Sequence, residues 1–199
     1  MCRRAAPPYA RAVAFGNYDG NLRGLLHLLK YEQVRPAAAV LGKYLAIAIQ
    51  QLHPTFSEPL PVLVPVPLYG RKRRERGFNQ AELITRSALK YLATRGLALQ
   101  ISTRVLRRQR ATTSQTGLTR HQRRANLRGA FAVRNRVAIA GRDIIVVDDV
   151  YTTGTTVSEC ARLLVRAGAN RVLVATVARV LKGQVTRLHE AARLAAAAH

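Results

Sequence analysis

The stretch Ile144-Ile145-Val146-Val147-Asp148-Asp149-Val150-Tyr151-Thr152-Thr153-Gly154-Thr155-Thr156 decides the fold. Its first four residues are an unbroken β-branched run. Such a run suits a central strand of a parallel sheet, which is covered on both faces and so shows no polar alternation. A helix is expected over residues 156–167, with Val157, Cys160, Leu163 and Leu164 as its buried stripe and Gly168 as its stop. Residues 172–177 read as the next strand. Strand, helix and strand in close succession make a βαβ unit, hence parallel pairing and a right-handed crossover.

The same stretch carries the chemistry. Asp148 to Thr156 lie where the strand ends and the helix begins, and open α/β sheets bind ligands at that edge. Small hydroxylated residues let backbone N–H groups converge on a phosphate, and the helix N-terminus favours negative charge. Thr152, Thr153, Thr155 and Thr156 add hydroxyl donors around Gly154. Two carboxylates touching a phosphate would repel it, so Asp148 and Asp149 are better placed for ribose hydroxyls or a hydrated Mg²⁺. A phosphate grip beside a hydroxyl grip describes a ribose 5-phosphate. The plainer alternative, an acidic turn followed by a Thr N-cap, accounts for one Asp and one Thr but not for the whole run.

Upstream, Val62-Leu63-Val64 reads as a short buried strand that runs into Pro65-Val66-Pro67 and the basic loop Arg71-Lys72-Arg73-Arg74-Glu75-Arg76-Gly77. That loop suits pyrophosphate or a nucleic-acid backbone, or is a solvated charge run. Residues 79–95 look helical, with Gly96 as the stop. Residues 20–31 and 37–52 carry leucines at helical spacing and are expected to form a hood over about 12–60. The core covers about 61–181, as a single domain over 1–181. Residues 1–10 read as a loose lead-in and 182–199 as an Ala-rich tail. Residues 103–128 are polar and Arg-rich, with a short helix expected near 119–127. A connection this long is often a functional lid. Lys30 follows a leucine stripe, and either reaches the site or snorkels at the surface. The expected fold is α/β, with a mainly parallel central sheet, helices on both faces and a small hood.

The chain has 199 residues, with 33 Lys and Arg against 10 Asp and Glu, for a net charge of +23. That field attracts polyanions and small phosphorylated ligands without choosing between them. Cys2 and Cys160 stand apart, so no zinc site is expected. With no apolar leader and no long apolar run, neither a signal peptide nor a membrane span is expected. Isolated cysteines fit a reducing cytoplasm.

The segment from Val146 to Thr156 resembles the 5-phosphoribosyl-1-pyrophosphate (PRPP) signature of type I phosphoribosyltransferases. Within that superfamily the chain resembles the ComF/GntX-type competence family. The further matches are Leu29-Lys30-Tyr31, Val64-Pro65-Val66-Pro67-Leu68, Arg76-Gly77-Phe78-Asn79-Gln80-Ala81, Gln115 through Arg124, and Asn126 to Phe131. The resemblance covers about residues 12–181.

The resemblance implies that Asp148 and Asp149 meet the ribose 2- and 3-hydroxyls, with Mg²⁺ nearby. Thr152, Thr153, Gly154, Thr155 and Thr156 would wrap the 5-phosphate. Pro65, Val66, Pro67, Arg71, Arg73 and Arg76 would form the pyrophosphate loop. The 107–128 stretch, with Gln115, Arg120, Arg123 and Arg124, would be the flexible loop that closes over substrate. Many members begin with a four-cysteine zinc segment, of which Cys2 could be only a remnant. The implied role is cytoplasmic handling of incoming DNA in natural transformation. Two readings follow: a phosphoribosyltransferase acting on Mg²⁺–PRPP with an unknown acceptor, or a non-catalytic factor that keeps a PRPP-type site and works on single-stranded DNA or DNA-processing proteins. No catalytic residue can be named from the sequence.

Overall fold

The computed structural model describes residues 6–112 and 120–181. In chain order these form β1 (Arg11–Asn17), α1 (Gly20–Tyr31), α2 (Ala37–Gln50), β2 (Val62–Pro65), α3 (Gly70–Arg76), α4 (Gln80–Ala93), β3 (Gln100–Ile101), β4 (Leu106–Arg108), α5 (Arg120–Leu127), β5 (Phe131–Val133), β6 (Asp143–Tyr151), α6 (Thr155–Arg166) and β7 (Arg171–Arg179). Five strands make one sheet in the order β1-β7-β6-β2-β3, and every pair in it is parallel. Strands β4 and β5 form a separate antiparallel ribbon.

The apolar run explains why β6 is central. Ile145 and Val147 face one side, where they pack with Leu26 of α1, Leu41, Leu45 and Ile49 of α2, and Ile84 and Leu92 of α4. Ile144 and Val146 face the other side, against Val157, Cys160 and Leu164 of α6, together with Leu127 and Phe131. Each such side chain contributes about 1.5–3 kcal/mol on full burial. That is ample to keep the strand in register beyond its apolar part. The ladder therefore continues through Asp148, paired with Thr176, and Val150, paired with Ala178.

Helices α2 and α4 meet at Gly42, where an added Cβ would lie 2.9 Å from the Ala88 backbone nitrogen. Within the stretch expected to form the hood, β1 joins the sheet and α2 lies on its face. Helix α1 ends over the carboxyl edge.

Two local expectations change. Strand β1 follows the lead-in at once and pairs with β7, from Arg11 opposite Leu173 to Asn17 opposite Arg179. Its small residues carry little strand signal; the exposed edge of β7 supplies the partner. The basic run at 71–76 is helix α3, not a loop. Arg, Lys and Glu are good helix formers. Arg71 Nε donates to Glu75 Oε1 at 2.8 Å one turn on, and Gly77 ends the helix at φ +77°. Among the described residues, no helix is long and apolar enough to cross a membrane.

Candidate active site at the carboxyl edge of the sheet

The last residues of β6 split across the sheet by strand alternation. Asp149 continues the Ile145–Val147 face and meets α1. Its Oδ2 lies 2.5 Å from Lys30 Nζ, and its Oδ1 accepts the Val150 N–H at 2.7 Å. Asp148 continues the opposite face, towards α6. Its Oδ1 accepts the Asp149 N–H at 2.9 Å. Burial, reinforced by repulsion from Asp149, pushes the Asp148 carboxyl up to about 8. Burial acts the same way on Asp149, but the Lys30 ammonium outweighs it and holds that carboxyl below its usual range. Burial disfavours the charge on Lys30 as well, and Asp149 outweighs it there, raising the ammonium above its ordinary value. The pair thus shares one firm negative charge, on the Lys30 side.

The turn between β6 and α6 is short, and Gly154 adopts φ +72°. A Cβ at Gly154 would sit 2.7 Å from Tyr151 Cζ, so only glycine lets the tyrosine ring tuck beneath the turn. Tyr151 Oη is held there by a 2.7 Å hydrogen bond with Tyr9 Oη. Thr153 Oγ1 and Thr155 Oγ1 are 2.8 Å apart. The helical ladder starts where the Ser158 N–H donates to Gly154 O at 2.9 Å. The amides of Thr155, Thr156 and Val157 therefore precede it. No acidic side chain occupies the first turn of α6, so no carboxylate of that turn repels an anion at the helix N-terminus.

Strand β2 delivers a second loop beside the first. Pro65 pairs with Val147, and the Val66 N–H donates to Val147 O at 2.8 Å, which sets Pro65-Val66-Pro67 next to Asp148. Between this loop, the start of α3 and the β4–β5 ribbon lies a cleft of about 550 Å³. Arg71, Arg73 and Arg74 line it from α3, and Arg104, Arg107, Arg108 and Arg134 from around the ribbon. Glu82, its acidic member, is engaged by Arg86 at 2.9 Å. Burial lowers the pKa of Arg108, while the charges of Cys160 and Asp148 act against that fall. Arg108 therefore stands close to the α6 side of the acid pair.

A phosphoribosyl transferase domain model matches residues 48–195. The chain is 36% identical over 181 residues to the DNA utilization protein YhgH of Escherichia coli, covering 90% of this chain and 77% of that one. It is 30% identical over 180 residues to Competence protein F of Haemophilus influenzae, covering 89% and 76%. With Competence protein ComFC of Bacillus subtilis it shares 33% identity over 118 residues, covering 57% and 44%. The chain belongs to the ComF-type family of phosphoribosyltransferase-like proteins.

The ComF-type segment Arg76-Gly77-Phe78-Asn79-Gln80 is a fastener between α3 and α4. Gly77 supplies the left-handed cap of α3. The Arg35 guanidinium lies 5.4 Å from the Phe78 ring centre. Asn79 Oδ1 accepts the Ala81 N–H at 3.1 Å and caps α4, while its Nδ2 donates to Val66 O at 3.0 Å. The second bond ties α4 to the Pro65–Pro67 loop. Arg76 Nη1 donates to Gln80 Oε1 at 2.7 Å and its guanidinium lies 5.9 Å from the Tyr31 ring centre. It is thus set apart from Arg71 and Arg73, which line the cleft.

Arg120, Arg123 and Arg124 fall on α5, which packs against α6 through Leu127. Gln115 lies outside the described residues. Sequence reasoning missed Arg104 and Arg134, whose meeting with Arg71 depends on the ribbon. The register places Leu106 opposite Val133 and Arg108 opposite Phe131. Two three-residue strands carry no pattern long enough to announce that pairing.

Proposed function

We propose that this ComF-type protein binds Mg²⁺–PRPP between Asp148, the Thr152–Thr156 turn and the Pro65–Pro67 loop, and acts in the handling of DNA during natural transformation. One juxtaposition carries the reading. A carboxyl of raised pKa stands at the end of β6, a few residues before a glycine turn that opens an acid-free helix N-terminus. A ribose 5-phosphate asks for that combination of a hydroxyl acceptor and a phosphate cradle at one strand end. In this reading the turn takes the 5-phosphate, the acid pair serves the ribose, and the Pro65–Pro67 loop with Arg71 and Arg73 faces the pyrophosphate.

The donor set suits magnesium. Asp148 offers a hard oxygen, and the described residues hold no group of three or more ligating side chains. Mg²⁺ keeps its waters and is commonly held by one or two carboxylates with the ligand's phosphates. When bound, it would neutralise charge on the pyrophosphate. In the transfer itself, the bond from the anomeric carbon to pyrophosphate breaks, an acceptor lone pair forms the new bond, and the acceptor gives up its proton. The cleft arginines lie where the departing charge can be met.

Isothermal titration with PRPP, with and without Mg²⁺, tests the reading. Saturable binding that weakens at least about tenfold without the metal is expected, and a flat titration overturns it.

The basic cleft favours a second reading. Seven arginines lining one cleft exceed what a single pyrophosphate needs and suit the backbone of a nucleic acid. The Escherichia coli relative is named for DNA utilization and the others for competence. In that reading the protein is a cytoplasmic nucleic-acid or protein-interaction factor that retains the PRPP-type site without turnover. DNA binding that survives alongside PRPP binding, with no pyrophosphate released in the presence of DNA, would establish it.

A further inference from the structure

We propose that two copies of this chain join along β1, antiparallel about a two-fold axis at Ala14, so that their two sheets run on as one.

Strand β1 is the outer strand of the sheet. It pairs with β7 on one side and, among the described residues, with no strand on the other. The Ala10 and Tyr18 N–H groups donate to Val172 O and Arg179 O. Backbone groups alternate in direction along a strand, so the even-numbered residues face β7, and Arg11, Val13, Phe15 and Asn17 turn their N–H and C=O groups outward. Thr176 Oγ1 touches Val13 O at 3.4 Å, which leaves that oxygen a second lone pair. A groove of about 660 Å³ runs along the strand, lined by all of Arg11–Asn17 with Gln51, Tyr151 and Arg179. Exposed edges are ordinarily blunted by proline or by a charge within the strand. Here Ala12 to Gly16 hold neither, and Arg11 stands only at the start.

Self-pairing fits this sequence. An axis at Ala14 sets Ala14 against Ala14, Val13 against Phe15, Ala12 against Gly16 and Arg11 against Asn17 of the second copy, so the whole strand is used. The outward-turned Val13 and Phe15 form the hydrogen-bonded pairs, and Ala14 falls on a non-hydrogen-bonded pair. Phe15 is 36% exposed and stacks on Tyr44 of α2, with ring centres 4.2 Å apart. Val13 packs into the core on that face as well. Each new pair there sets an aromatic ring against a β-branched side chain, a favourable cross-strand match. On the opposite face only alanine and glycine meet, so nothing holds the strands apart. Arg11 lies diagonal to the exposed Asp19 of the second copy, which supplies opposite charge at both ends of the joint. The assembly closes at two, because the contact is isologous and the other edge of the sheet, β3, is only Gln100–Ile101.

Sedimentation equilibrium and cysteine cross-linking of the full chain test this. At about 50 μM protein and about 0.5 M NaCl, where repulsion between two chains of charge +23 is screened, a dimer is expected. Lowering the salt to about 0.05 M should weaken it at least about threefold, the opposite of the trend for a nucleic acid. Phe15→Lys puts a charge into the edge and should weaken the dimer at least about 30-fold with an unchanged far-UV spectrum. If that variant does not fold, Val13→Lys reads the same pair from its other side. The register is read in a Cys2→Ser background. Ala14→Cys should give a reducible dimer under mild oxidation, because the Cα spacing of about 4.5 Å in a non-hydrogen-bonded pair suits a disulfide. Ala12→Cys, on the same face, should cross-link at least about tenfold more slowly, because the axis sets the two copies of that residue about 13 Å apart. A chain that stays monomeric under these conditions overturns the proposal and leaves the edge to some other strand. A dimer that tolerates the lysine variants, or that cross-links as fast through residue 12 as through residue 14, overturns it equally, because the copies then meet elsewhere or in another register.

Discussion

Asp148 is held near pKa 8 by burial and by its neighbour Asp149, whereas an unfolded chain ionises it near 3.8. Between those values the native state keeps a proton that the unfolded state has lost. Stability therefore falls as pH rises through that window, and the loss is complete above the native pKa. Asp148→Asn removes the titration. At pH 8 it should raise Tm by about 2–4 °C, the effect of about 1 kcal/mol in a domain of this size, and the difference should vanish below about pH 4. Thermal melts of both proteins across pH 4–9 check the sign. The same proton matters for binding. A carboxyl that must accept ribose hydroxyls or face Mg²⁺ works as the anion, so PRPP affinity should rise from pH 7 to about 8.5 and then level off. This range lies above the last phosphate ionisation, near pH 6. Titrations in buffers of different ionisation enthalpy should show proton release on binding, and Asp148→Asn should abolish it. An affinity flat across this range would mean that Asp148 is not the ligand's partner.

At the scale of elements, the contact of α2 with α4 at Gly42 holds the α1, α2 and α4 layer together. A side chain there meets Ala88 backbone that cannot move aside. Gly42→Leu should cost about 1–3 kcal/mol, the usual penalty for overpacking, seen as a lower urea midpoint. PRPP affinity of the folded fraction should change less than about twofold, because α2 stands behind the sheet. This layer is largely legible in the sequence. Leucines at helical spacing in 20–31 and 37–52 mark the faces that bury Leu26, Leu29, Leu41 and Leu45. The βαβ unit is equally plain, since four β-branched residues in a row fit few environments other than a doubly covered strand. The extension of β6 through both aspartates is not legible. Acidic residues are poor strand formers, and it takes the pairing with β7 to hold them in the ladder. Lys30 is readable only as one of two alternatives. Its place one residue beyond buried Leu29 is the signal, but its partner Asp149 lies far away in sequence, and spacing cannot show that. The basic run declares itself by its charge, which hides the helix-forming propensity of the same residues.

For the molecule as a whole, the issue is where a charge of +23 goes. Asp143, Asp149, Glu75, Glu82 and Glu159 each stand against a Lys or Arg of their own neighbourhood. Asp143 serves the fold at the far end of β6, taking Arg171 Nε at 3.0 Å and Asn170 Nδ2 at 2.9 Å. Five of the ten acids are thus engaged locally, while seven arginines line the cleft beside the acid pair, of which Arg71 is answered by Glu75. The exposed ribbon arginines separate the two readings of that cleft. Arg104, Arg107 and Arg134 line it from around the ribbon rather than from β2 or α3; in the proposed reading a pyrophosphate held at the Pro65–Pro67 loop leaves them unused, whereas a strand of nucleic acid running along the cleft meets them. Replacing all three by Gln should leave PRPP affinity within about twofold. It should also reduce the steepness of log K against log salt for single-stranded DNA by about 2, because each phosphate that an arginine neutralises adds roughly 0.7 to that slope. Fluorescence anisotropy with a labelled oligothymidine at several salt concentrations measures it. Arg71→Gln/Arg73→Gln on the α3 side should weaken both ligands, because in the proposed reading those two cleft-lining side chains meet the pyrophosphate as well. If the ribbon variant instead loses PRPP and keeps its DNA slope, the cleft belongs to the small ligand alone, and the excess positive charge must find its partner elsewhere on the surface.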